Sequence, residues 1–217
     1  LKKTMESLAM NERPYVELPA RGFPLWPRGD WPRLRTMTVS YGHGIAVTPL
    51  HLASAYAALV NGGIWRPATL KKLDAAQIPA GRRVFTAATS ARIRQLLRMI
   101  VSYGTGRKAD APGFRVGGKT GSAEKPGAGG YRHHSLIATF AAAFPMDRPR
   151  YVVIAMMDEP QGTEATSFQR TAAWNAAPVI QRVVPRIGPL LGIMPDETRD
   201  IDVSDLKPLI PAGGAEE

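Results

Sequence analysis

Three glycines, two hydroxyl groups and an ammonium group lie close together in Arg115–Ala123, whose sequence is R-V-G-G-K-T-G-S-A. Thr120 and Ser122 are two residues apart, so on a β-strand their side chains share one face. Lys119 adds a positive charge on a stem long enough to reach around a strand edge. Two opposite unit charges at ~4 Å attract each other by about 4 kcal/mol at an effective dielectric of 20. The segment therefore suits a substrate carboxylate or a developing oxyanion.

The glycines of this segment also carry information. Gly117, Gly118 and Gly121 are poor strand formers. Glycine inside a strand often marks a place where a ligand or another backbone approaches closely. We therefore expect this strand to border a binding surface.

Two apolar runs follow the glycine-rich strand. Leu136–Phe144 and Tyr151–Met157 are near-continuous apolar stretches, which is typical of strands covered on both faces. Glu124–His134 predicts a glycine-rich hairpin connection, and Pro145–Arg150 a tight loop. Together with the Lys119 strand, the two runs predict three consecutive antiparallel strands.

Helices are predicted on either side of this sheet in the chain. Thr48-Pro49 is a strong helix start, with Thr as N-cap and Pro at the first helical position. Asn61-Gly62-Gly63 is expected to end that helix. Thr171–Val184 reads as a further helix, in which Pro178 is expected to cause a kink.

A second amphipathic helix is predicted over Thr86–Ser102. Its inward face comprises Ile93, Leu96, Leu97 and Ile100. The arginines of the other face are most simply solvated: Arg92, Arg94 and Arg98.

Composition limits the classes of function. The 217 residues, 44% of them hydrophobic, suit one globular domain. The net charge is +10, which suggests an anionic neighbour, but no aromatic–basic nucleic-acid motif accompanies it, so we expect no nucleic-acid partner. Cysteine is absent and the four histidines have no zinc-type spacing, so we expect no metal site. No apolar run of ~18 residues occurs, and we expect the chain by itself to be soluble.

The C-terminal segment differs in charge from the rest of the chain. From Pro195 onward there are seven acidic residues and two basic ones. This composition predicts an acidic, flexible tail over 195–217 after a domain over 1–194.

Lys119-Thr120-Gly121 matches K-T-G, the third signature of the penicillin-binding protein and serine β-lactamase superfamily. The preceding segments 38–53 and 57–67 closely resemble the region upstream of that motif in class B penicillin-binding proteins. Order and spacing also resemble the division-specific peptidoglycan D,D-transpeptidases, over roughly residues 1–193. The resemblance implies an α+β fold with an antiparallel sheet flanked by helices, of which this chain supplies three strands and the C-terminal helix.

The resemblance also implies roles for individual residues. Lys119 would supply positive potential for the substrate carboxylate and for proton transfer. The hydroxyls of Thr120 and Ser122 would hold that carboxylate, and Gly121 completes the motif. The backbone N–H of Ser122 would be one oxyanion donor. Implied partners are peptidoglycan stem peptides, β-lactam antibiotics and divisome membrane proteins, at the periplasmic face of the bacterial inner membrane, without a cofactor or metal.

Two motifs of the family have no counterpart in their place. The family uses S-x-x-K for the nucleophile and S-x-N for proton transfer, both N-terminal to K-T-G. Ser122–Lys125 and Ser204–Lys207 satisfy S-x-x-K formally, but we interpret both matches as accidental, and no Asn has Ser two residues before it. The sequence therefore predicts the C-terminal half of a transpeptidase domain, inactive alone. A non-catalytic module that binds peptidoglycan or a division partner, and a protein of another class, such as a β-lactamase-type hydrolase, remain open.

Overall fold

A computed structural model describes residues 1–127 and 130–210 of the chain. The described residues form two compact units, one over residues 1–90 and one that begins at Ala91. The helices are α1 (Lys2–Ser7), α2 (Arg33–Ser40), α3 (Pro49–Val60), α4 (Ala87–Tyr103) and α5 (Ala176–Leu190). The strands are β1 (Ile64–Trp65), β2 (Arg82–Arg83), β3 (Gly117–Gly127), β4 (Gly130–Phe144) and β5 (Tyr151–Asp158). Across these two described stretches, no helix is both long and apolar enough to cross a membrane.

The start of α3 shows how local sequence sets an element of the first unit. The Thr48 hydroxyl accepts a hydrogen bond from the His51 backbone N–H at 3.3 Å, and His51 Nδ1 accepts one from the Thr48 N–H at 3.1 Å. With Nδ1 accepting, the ring proton lies on Nε2 and is donated to the Glu12 carbonyl, 2.8 Å away. The helix ends at the Asn61 cap, and Gly62 then adopts a φ of 95°, which favours glycine. The predicted helix start and stop are both confirmed.

The second unit contains the predicted three-stranded sheet. Its strand order is β3-β4-β5 and both pairings are antiparallel. Helix α5 packs on β4 and β5, and its buried residues join those of β4 in one apolar core. The largest fully buried side chains include Phe140, Phe144, Met146, Ile180 and Val184. The α+β class with an antiparallel sheet flanked by helices is thereby confirmed.

Several boundaries differ from those expected. The connection predicted over 124–134 is mostly strand, because Gly127 pairs with Gly130 and Pro126 with Tyr131 after a register shift beyond Glu124. Its centre, residues 128 and 129, lies outside the described residues. The strands run past the apolar runs because backbone pairing, unlike burial, does not require apolar side chains.

The two predicted helices of the second unit also need correction. Helix α5 begins at Ala176, five residues later than expected, so Pro178 lies in the first turn, where a missing N–H costs no intrahelical hydrogen bond. In α4, Leu96 is 45% exposed and does not face inward as predicted. Arg98, assigned to a solvated face, has a side chain only 13% exposed and pairs with two carboxylates.

The acidic segment after Pro195 is described as far as Ile210. Within that part, Asp200 pairs with Arg98, Asp205 pairs with Arg92, and Leu206 is buried. Residues 211–217 of the predicted flexible tail lie outside the described residues. The domain boundary at 194/195 stays a prediction.

Candidate functional site

Strand β3 places the residues of the glycine-rich segment. In the sheet of the described residues β3 pairs on one side only, with β4, so its other side is an edge. Alternation along the strand puts Thr120 and Ser122 on one face and Lys119 and Gly121 on the other. Lys119 and Ser122 are exposed and Thr120 is half-buried, so this part of the strand is accessible to a ligand.

The Lys119 ammonium reaches around the strand edge to Thr120. Its Nζ lies 3.0 Å from Thr120 Oγ1 and 3.0 Å from the Thr120 carbonyl oxygen. The ammonium donates both hydrogen bonds, since it carries no acceptor. The positive charge and the hydroxyl group are therefore presented together, as an anion-binding pair requires.

A second threonine, Thr105, completes the surroundings of this hydroxyl. Its Oγ1 lies 3.2 Å from Thr120 Oγ1. If Thr120 accepts from both Lys119 and Thr105, its own O–H is left to donate to an anionic ligand. Sequence reasoning missed Thr105, which lies just beyond the helix predicted over Thr86–Ser102. Its only signal in the sequence was a hydroxyl between two glycines.

The Ser122 hydroxyl is connected to the segment before α5. Ser122 Oγ accepts a hydrogen bond from the backbone N–H of Ala172 at 3.0 Å. As an acceptor in that bond, Ser122 still has its O–H to donate, on the strand face that it shares with Thr120. Ala172 is 50 residues away in the chain, and nothing in its residue type pointed to this contact.

The two glycines that flank Lys119-Thr120 have different surroundings. A Cβ atom built on Gly118 would lie 2.4 Å from Phe140 Cε1 and 2.5 Å from the Ala141 carbonyl oxygen, so only glycine fits there. A Cβ on Gly121 would meet nothing nearer than the Thr139 carbonyl oxygen at 3.8 Å. Gly118 is thus required by the core, whereas the space at Gly121 is open.

Lys125 plays a different part from Lys119. Its Nζ lies 2.8 Å from Asp158 Oδ1 and 3.1 Å from Glu159 Oε1. Donating hydrogen bonds to the carboxylates of Asp158 and then Glu159 raises the pKa of the Lys125 ammonium. On β3, Lys125 lies ~10 Å along the strand from Ser122, so the pair lacks the one-turn geometry of a helical S-x-x-K. Among the side chains that the structure describes, which do not include those of residues 126, 128, 129, 131–134 and 211–217, no group of three or more His, Asp or Glu residues could hold a metal ion.

An α+β domain whose edge strand carries a K-T-G motif is the class that the fold and site define. Residues 1–180 match the family model described as the penicillin-binding protein transpeptidase domain. The chain belongs to this family, as the motifs predicted.

Curated relatives agree with this assignment. The chain is 41% identical over 202 residues to the probable peptidoglycan D,D-transpeptidase FtsI of Caulobacter vibrioides, covering 89% of this chain and 34% of that protein. It is 34% identical to the stage V sporulation protein D of Bacillus subtilis, covering 90% of this chain and 31% of that protein. The chain thus spans about a third of the length of these curated relatives.

Solved structures show the same fold. The apo transpeptidase domain of Burkholderia pseudomallei penicillin-binding protein 3 superposes with a TM-score of 0.80 at 34% identity, over 89% of this chain and 58% of that one. Penicillin-binding protein 3 of Mycobacterium tuberculosis, complexed with ampicillin, gives a TM-score of 0.78 at 26% identity, over 93% of this chain and 48% of that one.

Proposed function

We propose that this chain is the C-terminal part of the transpeptidase domain of a peptidoglycan D,D-transpeptidase, which cross-links stem peptides and is acylated by β-lactams. The observation that carries the proposal is the K-T-G strand at the sheet edge, where Lys119 Nζ lies 3.0 Å from Thr120 Oγ1. In the proposed protein this strand binds the substrate, and the nucleophilic serine comes from residues outside this chain.

The site residues have complementary tasks in this reaction. The hydroxyls of Thr120 and Ser122 donate to the carboxylate of the acyl donor, and Lys119 neutralises its charge. A hydrogen bond to a charged group typically contributes about 1.5–3 kcal/mol, so the two hydroxyls together orient the donor peptide firmly. Gly121, between them, leaves the open space above the strand for the peptide backbone.

Bond changes follow the chemistry of acyl transfer. The serine oxygen forms a bond to the penultimate D-alanine carbonyl carbon, and the tetrahedral oxyanion is held by two donors, one of them the Ser122 N–H. The peptide bond to the terminal D-alanine then breaks, and the serine proton leaves with its amine. An amine of a neighbouring stem peptide takes the acyl group and frees the serine. A β-lactam enters as a mimic of the donor and stays attached to the serine.

Intact mass after incubation with benzylpenicillin tests this proposal. The chain alone should show no adduct, and a longer protein that adds the upstream part of the domain should show a single stoichiometric adduct. Thr120→Val in that longer protein should slow acylation about tenfold, since one hydrogen bond to a charged group is lost. Ser102→Ala, which removes a hydroxyl from α4, is the matched control and should acylate normally.

Two outcomes would contradict the proposal. A single adduct on the isolated chain, mapped to Ser122 or Ser204, would place the nucleophile within these residues. A longer protein that is never acylated but binds muropeptides would favour the non-catalytic peptidoglycan-binding module instead.

The proposal extends to the location and the partners of the protein. It assigns the chain to the periplasmic face of the bacterial inner membrane, among membrane proteins of the division machinery; its support is the resemblance to division-specific transpeptidases. Protease protection in spheroplasts tests the location: the chain should be cleaved from the periplasmic side, and full protection would contradict it. Co-purification after crosslinking at division sites tests the partners.

A further inference from the structure

We propose that Arg98 and Arg115 are positioning residues for the candidate site. Each of them joins the start of β3 to the acidic segment that begins at Pro195. Together with Asp110, Asp147 and Asp200, they form what we name the arginine cluster. The inference rests on the proposed function for its catalytic meaning, but its structural part concerns this chain alone.

Arg115 is the residue at which the chain turns into β3. Its side chain is 3% exposed, and its Nε donates to Asp147 Oδ1 at 2.6 Å. One terminal nitrogen donates to the carbonyl oxygens of Gly113 and Asp196, at 2.7 Å and 2.8 Å. Because a guanidinium group is planar and rigid, these three acceptors are held in one fixed arrangement.

The backbone of Arg115 is itself unusual. Its φ is 50°, in the left-handed region that a side-chain-bearing residue adopts at a cost of ~1–3 kcal/mol. Its carbonyl accepts from the Met146 N–H at 2.8 Å. The buried hydrogen bonds of Arg115 offset this cost and hold the bend that directs β3 along the sheet.

Arg98, on α4, also contacts the residues at the start of β3. Its Nε donates to Asp200 Oδ2 at 2.7 Å, and one terminal nitrogen donates to Asp110 Oδ1 at 2.9 Å. The same nitrogen donates to the carbonyl oxygen of Val116 at 3.0 Å. Val116 directly precedes β3, so Arg98 joins the acidic segment, α4 and the strand start.

A displacement of Val116, at the start of β3, would be transmitted along the strand to the candidate site. Val116 lies three residues before Lys119, ~10 Å along a strand. The start of β3 has no free space, since a Cβ on Gly117 would lie 2.3 Å from Met146 Cε and 3.1 Å from the Arg98 backbone nitrogen. Because packed interiors transmit strain, release of Arg98 should alter β3 at Lys119 and Thr120.

The acidic segment contains a matched control for this contact. Asp205 pairs with Arg92, and the two side chains are about half exposed. This ion pair joins the same segment to the same helix, but it involves no atom of β3. Asp200→Asn and Asp205→Asn therefore make the same chemical change, while only the first removes a carboxylate from the arginine cluster.

Hydrogen exchange of this chain, read by mass spectrometry, tests the structural part. Asp200→Asn should speed exchange in peptides that cover 115–123 about fivefold to tenfold, as expected for one partly exposed hydrogen bond between charged groups. Asp205→Asn should leave the same peptides unchanged, and Asp200→Glu, which keeps the carboxylate, should restore protection. Equal acceleration by Asp200→Asn and Asp205→Asn, or none by Asp200→Asn, would overturn the positioning role.

Benzylpenicillin kinetics in the longer protein test the catalytic part. Asp200→Asn should weaken the initial non-covalent complex about fivefold, while the fraction of protein acylated at saturation stays that of the unmodified sequence. A lower acylated fraction with an unchanged affinity would show a merely structural role and overturn the inference. If the unmodified longer protein is not acylated, the proposed function fails, and the exchange experiment alone then decides the positioning role.

Discussion

The pairing of Arg115 with Asp147 gives the largest single effect that we expect. Arg115 is 3% exposed and Asp147 is 17% exposed, so Asp147→Asn removes the counter-charge of a buried guanidinium group. Breaking a buried pair by removing one partner typically costs about 3–5 kcal/mol. Arg115 keeps two carbonyl acceptors in the variant, so we expect the lower end, about 3 kcal/mol.

A matched exposed pair supplies the control for this prediction. Asp158, 63% exposed, pairs with Lys125, and Asp158→Asn should cost at most about 1 kcal/mol, as surface ion pairs do. Native-state hydrogen exchange of the β4 amides measures the free energy of global opening of the second unit. A loss below about 1 kcal/mol for Asp147→Asn, or equal losses in the two variants, would refute the reasoning from burial.

Three further predictions follow from particular contacts. Gly118→Ala should destabilise the fold by about 2 kcal/mol or more through the clash with Phe140, whereas Gly121→Ala should change the melting temperature little. Thr48→Ala should cost about 1 kcal/mol in urea unfolding by removing the N-cap of α3, and a cost near zero would show that His51 alone holds that helix start. Burial raises the pKa of the Tyr56 phenol from 10.0 to about 12. The folded state then keeps a proton that the unfolded state loses, so stability should fall as pH rises from 10 to 12, by at most about 2.7 kcal/mol, and Tyr56→Phe should flatten that fall.

Local sequence predicted the elements whose causes are local. Helix α3 begins and ends as expected because Thr48, Pro49 and Asn61 act through neighbouring backbone groups. The three strands follow from apolar runs, and their antiparallel order follows because short connections join consecutive strands. Helix α5 begins later than expected, after Asn175 as N-cap, whose side chain makes no capping hydrogen bond and donates instead to the carbonyl oxygens of Gln169 and Thr171.

The sequence predicted the site residues that lie on β3 itself. Lys119, Thr120 and Ser122 are brought together by the two-residue period of β3, which the sequence reveals directly. Their roles in binding a substrate remain predictions that the acylation experiments test.

Sequence alone thus determined the family, the three-strand order and the motif strand, because hydrophobic period and residue spacing encode them. Tertiary structure alone decided which distant groups surround that strand. Three contacts show this: Thr105 with Thr120, Ala172 with Ser122, and Arg98 with Asp200, which are 15, 50 and 102 residues apart in the chain. The physical reason is that hydrogen bonds and ion pairs form wherever folding brings donors and acceptors within about 3 Å, and residue type at one position does not reveal which distant partner arrives there.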